Sequence, residues 1–468
     1  MEIHFDIVVI GSGPGGYVAA IRAAQLGYKT ALVEKYSVLG GTCTNVGCIP
    51  TKALLDSSEH FYTAQTKFKS HGIESDNLKL NFSEFINRKN SVVEQNTAGI
   101  NYLMNKNKIQ VIEGAVSFVN NKEITVSKNG TKDQKITANY FIVATGSKPV
   151  SLPNISIDKT RIITSTEALS LQEQPKSMTI IGGGVIGVEM ASIYGRIGTK
   201  VTIIEYADSL IPTMDKELGK ELKKILTKKG IDILLSHNVQ SVLNNGENTT
   251  VKFSDKNNII SEITTDYCLV AVGRKPYTDG LGLENTVIKL DEKGRIVTNK
   301  SLQTSEENIY AIGDVISGPM LAHKAEEEGV FAVETINGQK PHMNYNLIPS
   351  VVYTWPEVAS VGYTEDELKR KNMPHRIGKF PFSASGRARA AMESEGFVKV
   401  ISDPKYGEIL GIHIIGPRAA DLIAQGVIAM EYEVTDEDMF RISYAHPTYS
   451  EALKEAYLLA SGQGALNI

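Results

Sequence analysis

The chain has 468 residues, more than one hydrophobic core supports, so several domains are expected. With 42% apolar and 22% charged residues it is globular rather than disordered, and no apolar run reaches the length of a membrane-spanning helix. A net charge of −4 gives no general affinity for nucleic acid or anionic lipid, and three cysteines are too few for a disulfide scaffold. The N-terminus runs straight into a strand-like segment, "FDIVVIG", without the basic and apolar regions of a secretory signal. A bacterial cytoplasmic protein, or a mature mitochondrial form, is the expectation.

The first predicted element is the apolar run Ile7 to Ile10, which suits a buried parallel strand. Gly11, Gly13 and Gly16 follow in the pattern GxGxxG. Pro14 stands where a helix would start and where its missing N–H costs nothing. Val18, Ile21, Arg22, Gln25 and Leu26 recur at helical spacing, and Gly27 closes the helix. A second strand, "KTALVE", ends at Glu34, 23 residues after Gly11. Together these form a dinucleotide-binding βαβ unit. The glycines permit a tight turn, approach of the backbone to a pyrophosphate, and close helix–strand packing. Glu34 is placed to accept from a ribose hydroxyl.

The next feature is "GGTCTNVGCIP", residues 40–50, which holds Cys43 and Cys48. Two cysteines do not close a zinc site, and the nearest histidine, His60, lies twelve residues beyond Cys48. No metal site is expected, and redox chemistry is the leading reading. Residues five apart on an ideal helix differ by about 140° and roughly 7.5 Å in rise, a poor match to the Cα separation of about 7 Å or less that a disulfide needs. Gly47 between them and Pro50 after them permit distortion, so the pair is expected in an irregular turn that leads into the helix "TKALLDSSEHFY". The helix dipole and Lys52 would favour a thiolate there.

The nucleotide unit then recurs. "MTIIGGGVIGVEMASIYGRIGTKVTIIEY" carries Gly182, Gly184 and Gly187, and its strand ends at Glu205, again 23 residues after the first glycine. Each copy is followed by a short apolar strand and a glycine, in "FIVATGSKP" and "CLVAVGRKP". Two dinucleotides, one for each copy, are implied. A carboxylate at the Glu205 position accepts from a free 2′-OH and repels a 2′-phosphate, so NAD(H) is expected over NADP(H) in the second copy. Cys268 falls in a strand of that copy and reads as core. From about residue 346 the glycine pattern ends and strands mix with helices, an α+β pattern.

The whole chain resembles the pyridine nucleotide–disulfide oxidoreductase family, through "GGTCTNVGCIPTKALL", "ATGSKP", "GGGVIGVEMA", "AVGRKP", "IYAIGDV", "MLAHKAEEEG", "PSVVYTWPEVASVG" and "YAHPTYSEALKEA". The resemblance implies an α/β chain of two Rossmann-like domains and a C-terminal α+β dimerisation domain. Its expected domains are a discontinuous FAD-binding domain (1–149 and 274–345), an NAD-binding domain (150–273) and an interface domain (346–468). It implies that Cys48 faces the flavin and Cys43 meets a dithiol substrate. FAD ligands would be Gly11, Gly13, Gly16, Glu34, Lys52, Gly114, Thr145, Gly146, Ser147, Asp314 and the segment Met320, Leu321, Ala322 and His323. NAD(H) would be held by Gly182, Gly184, Gly187, Glu205, Val239 and Gly273, with Glu189 paired to Lys52 beside the flavin ring. In "HPTYSE", His446 would be the general base and Glu451 its orienting partner. Tyr444 departs from the family, many of whose members carry histidine there. The implied reaction is oxidation of protein-bound dihydrolipoamide by NAD, in a homodimer served by the lipoyl domains of an acyltransferase (E2) or of a glycine-cleavage H-protein. A rival within the family reduces glutathione disulfide with NADPH and would favour basic residues where Glu205 stands. Mercuric ion reduction would need a closing cysteine pair that this chain lacks. A purely structural docking subunit would need neither the cysteine pair nor HPxxxE.

Overall fold

A computed structural model describes residues 3–128, 133–150 and 152–467. Its internal contacts divide the chain into two compact units. The first comprises residues 1–53, 83–150 and 273–343, and the second the remaining residues.

The first unit is built on a sheet in which Gln110–Glu113, Thr30–Glu34, Ile3–Ile10 and Gln134–Val143 lie side by side and parallel. Thr30–Glu34 is buried along its whole length, and Ile7 to Ile10 are buried too, as strands covered on both faces require. The strand Gln134–Val143 serves two neighbours. Its first half pairs antiparallel with Glu123–Ser127, which continues to Ala115–Asn120, and its last three residues pair parallel with Ile309–Ala311. Chain from beyond residue 273 thus returns to the sheet that the N-terminus starts. The helix Pro14–Gln25 packs on the helix Ala322–Ile336 through small residues, Gly15 against Ala325 and Gly329 against Ala19.

The second unit repeats the parallel pattern. Asp232–Leu235, Lys200–Glu205, Ser177–Ile181, Tyr267–Val270 and Ile162–Ile163 form one parallel sheet. A three-stranded antiparallel sheet, Asn238–Asn244, Thr249–Ser254 and Ile260–Thr265, accompanies it. A separate antiparallel sheet runs in the order Ser350–Val352, Glu357–Gly362, Ile409–Gly416, Phe397–Ser402, Arg376–Pro381. The helices Ala419–Glu431 and Glu451–Ser461 pack on it. The α/β class with an α+β C-terminal part is therefore as expected. The 25-residue helix Phe82–Lys106 and the strand Arg376–Pro381 have no counterpart among the expected elements.

Candidate functional site

The two glycine motifs fold alike, atom by atom. Gly11 N–H donates to Val33 O at 2.8 Å, and Gly182 N–H to Ile204 O at 2.9 Å. Both first glycines have left-handed backbone, φ +102° and +108°, where a side chain would be strained. A Cβ on Gly16 would lie 1.8 Å from Gly11 O, and one on Gly187 would lie 1.9 Å from Gly182 O. Only glycine admits so close a turn between strand and helix. The middle glycines differ in kind. A Cβ on Gly13 or on Gly184 would meet nothing within 4 Å, so each borders open space at a helix start. The helices Pro14–Gln25 and Val185–Arg196 begin there with no acidic residue in the first turn. Free N–H groups and a positive dipole end thus face a cradle that a pyrophosphate fits.

The acidic strand ends also correspond. Glu34 is buried and accepts from Ser12 N at 2.8 Å, Ser12 Oγ at 2.6 Å and Tyr36 N at 3.0 Å. Glu205 accepts from Gly183 N at 2.5 Å and Ala207 N at 2.6 Å. Each carboxylate is fixed against its own glycine turn, where a ribose would sit. Gly114 follows the neighbouring strand and donates to Glu34 O at 2.8 Å. Val239 lies in the strand Asn238–Asn244 at a register shift. Gly273 has φ +118° and accepts from Val150 N at 3.0 Å.

Cys43 lies in a short helix, Gly41–Val46. Gly47 interrupts it at φ −141° and ψ −113°, and Cys48 is the first residue of the helix Cys48–Thr66. The irregularity is thus narrower than expected: a single residue, with both cysteines helical. The two are thiols with no disulfide between them, in hydrogen-bonding contact with each other. That contact, then burial, holds the Cys43 pKa well above the ordinary thiol value, and the nearby Lys52 opposes the rise. Cys48 occupies a helix N-terminus, where N–H groups favour an anionic sulfur. The two sulfurs therefore differ in setting: Cys43 lies within the short helix, and Cys48 starts the next one.

On the same unit, Asp314 sits in the short turn Gly313–Val315. Its Oδ2 accepts from Ser147 Oγ at 2.5 Å. Arg274 Nε donates to that hydroxyl at 2.7 Å and Arg274 Nη2 to Ser147 O at 2.7 Å. Burial draws the Arg274 pKa down, and nearby Asp314 and Cys48 oppose it. Thr145 Oγ1 donates to Tyr277 O at 2.7 Å, and Gly146 borders open space. The segment Met320 to His323 leads into the helix Ala322–Ile336, with Leu321 as its N-cap. Tyr17 Oη donates to Glu326 at 3.3 Å, and burial raises the Glu326 carboxyl. Lys52 belongs to this first unit, whereas Glu189 belongs to the second, where it accepts from Tyr353 N at 2.9 Å.

His446 and Glu451 meet as their spacing suggests. Nδ1 of His446 lies 2.7 Å from Glu451 Oε1, and Glu451 Oε2 accepts from Thr448 N at 2.8 Å. Burial alone would raise the Glu451 carboxyl, but Thr448 N–H, His446 and Lys454 together hold it below its ordinary value. The imidazole is anchored through one nitrogen while its side chain is 79% exposed. Tyr444 donates to Met439 O at 3.2 Å, and burial pushes its pKa up to about 12.

Two groups escaped the sequence reading. Arg274 lies inside "AVGRKP", yet its link to Ser147 and Asp314 joins segments far apart in sequence. Lys324 and Glu328 form a fully buried pair four residues apart on one helix. That spacing of opposite charges was a usable signal. Among the described residues no cluster of His, Cys, Asp and Glu is arranged to hold a metal ion, and no helix is long and apolar enough to cross a membrane.

Residues 5–329 match the family described as pyridine nucleotide-disulphide oxidoreductase, and residues 348–457 match its dimerisation domain. The mitochondrial dihydrolipoyl dehydrogenase of Schizosaccharomyces pombe is 46% identical over 459 residues, 98% of this chain and 90% of that protein. The corresponding mitochondrial protein of Caenorhabditis elegans is 46% identical over 464 residues, 99% of this chain and 94% of that one. Among solved structures, the HOCl-induced flavoprotein disulfide reductase RclA of Escherichia coli is 28% identical with a TM-score of 0.88, covering 98% of this chain and 100% of that chain. With two matched dinucleotide cradles, a contacting cysteine pair and these matches over nearly its whole length, the chain belongs to the pyridine nucleotide-disulphide oxidoreductase family.

Proposed function

We propose that this protein oxidises dihydrolipoamide to lipoamide and reduces NAD to NADH. The observation that carries the reading is the Cys43–Cys48 pair, set in thiol contact across Gly47 within the same unit as the first dinucleotide cradle. The first cradle takes FAD, through Gly11 to Gly16, Glu34, Gly114, Thr145 to Ser147, Asp314 and the helix start at Met320 to His323. The second takes NAD(H), through Gly182 to Gly187, Glu205, Val239 and Gly273. Bound FAD supplies the two-electron link between the cysteine pair and the nicotinamide.

The chain's own residues handle the sulfur chemistry. In the oxidised enzyme the two cysteines form a disulfide. His446, held through Nδ1 by Glu451, takes a proton from the dithiol. The resulting thiolate attacks Cys43 Sγ, the Cys43–Cys48 bond breaks, and Cys48 leaves as a thiolate at its helix N-terminus. The second substrate thiol then displaces Cys43, closing lipoamide. Cys43 takes up a proton, in keeping with its raised pKa. The dimerisation-domain match covers His446 and supports a homodimer in which each copy lends this base to the other.

The dithiol would arrive on the lipoyl domain of an E2 subunit or of an H-protein. The compartment would be one where such complexes work, the bacterial cytoplasm or the mitochondrion, the latter being where the named relatives reside. The test compares NAD reduction by dihydrolipoamide with NADPH oxidation by glutathione disulfide. Activity in the first assay alone is expected, and activity only in the second would overturn the reading.

A further inference from the structure

The turn that carries Asp314 is gripped by a buried ion pair. Lys324 and Glu328 are buried with 0% side-chain exposure. Lys324 Nζ lies 2.9 Å from Glu328 Oε1 and 3.0 Å from Oε2. Both charges also reach the backbone of one residue, through the two peptide groups that flank its Cα. Lys324 Nζ donates to Gly313 O at 3.2 Å, and Gly313 N–H donates to Glu328 Oε2 at 2.7 Å. A buried ion pair adds little net stability, because removing both ions from water costs about as much as their attraction returns. What this pair does contribute is direction. It fixes both polar ends of the residue that precedes Asp314, in a turn where Gly313 has φ +75°. The Asp314 carboxylate is fixed from the other side by Ser147 and, through it, Arg274.

We infer that Lys324 and Glu328 are positioning residues that hold Asp314 in the orientation that binds the hydroxylated chain of FAD. The inference rests on the assignment of Asp314 to FAD under the proposed function. The ion pair acts through the Gly313 backbone. Removing both ties lets the turn relax, and the carboxylate no longer meets the flavin hydroxyls at hydrogen-bonding geometry.

The test uses the full-length holoenzyme and follows the fluorescence of FAD released on dilution into a chaotropic salt. The double variant Lys324→Met/Glu328→Leu removes both ties without leaving a lone buried charge. Its FAD release is expected to be about tenfold faster, the effect of losing roughly one charge-assisted hydrogen bond. Lys324→Met/Glu328→Gln keeps an acceptor for Gly313 N–H and is expected to fall between that variant and the unaltered protein. Each double variant is then combined with Asp314→Asn. If the pair acts through Asp314, it adds less than about twofold in that background. Equal effects with and without Asp314→Asn would overturn the inference, as would unchanged FAD release in the Met/Leu variant. Should that variant not fold, the same comparison with the Met/Gln variant decides. Unchanged release in Asp314→Asn alone would instead remove the assignment of Asp314 to FAD, and the inference with it.

Discussion

At the scale of single residues, the site is a set of unequal pairs. Cys43 and Cys48 share a contact but not a setting, because Cys43 lies inside a short helix and Cys48 is the first residue of the next. Replacing Cys43 by Ser should leave FAD bound, as read from the visible spectrum of the purified protein, and abolish NAD reduction by dihydrolipoamide. His446 and Glu451 are likewise asymmetric, one exposed and one anchored. Glu451→Gln removes the charge that supports the protonated imidazole, and kcat/KM for dihydrolipoamide should fall by about ten- to a hundredfold. An unchanged kcat/KM would show that Glu451 does not orient the base. These contacts were legible because both members of each pair lie within a short segment. Asp314, Ser147 and Arg274 were not legible as a group, because folding joins them across 167 and 127 residues.

At the scale of elements, the βαβ turn is the unit that the chain uses twice. Its glycines are sterically required, as the 1.8 and 1.9 Å approaches at Gly16 and Gly187 show. Gly187→Ala would force the helix Val185–Arg196 away from its strand. NADH affinity, measured by titration of nucleotide fluorescence, should weaken by at least about tenfold, while FAD content stays normal because the first cradle is untouched. The helix that begins at Cys48 shows how one residue alters an element. Gly47 separates two helices, and that break brings five-apart cysteines into contact where a continuous helix would hold them apart. The helix Phe82–Lys106 escaped the sequence reading for a physical reason. Its buried residues are only Phe85, Ile86, Lys89, Ile100 and Met104, too sparse for a clear apolar stripe.

At the scale of the whole molecule, buried charge ties distant segments within the second unit. Lys399 lies 3.1 Å from Asp215 and 2.7 Å from Glu365, with Asp215 also capping the helix Lys216–Lys228. Burial alone would raise the Asp215 carboxyl, but His413 and Lys399 bring it below the ordinary value, and the Glu365 carboxyl is also held low by its lysine partners against burial. Lys399→Met leaves Asp215 without its lysine partner and Glu365 with Lys369 alone, and should cost about 3–5 kcal/mol, lowering Tm by roughly 5–10 °C at pH 7. A carboxyl with a depressed folded pKa contributes stability above its unfolded value, about 4, and loses it as pH falls through the folded value. The Tm gap between variant and unaltered protein should therefore narrow below pH ~4; a gap that widens there would contradict this account. The sequence by itself determined the two dinucleotide units, the redox cysteines and the His446–Glu451 pair, because backbone geometry and short-range spacing leave those features few alternatives. Only the tertiary structure decided that Lys324 and Glu328 grip Gly313 and that Lys399 meets Asp215. Those contacts depend on how segments pack, and the burial that makes them matter exists only once the chain has folded.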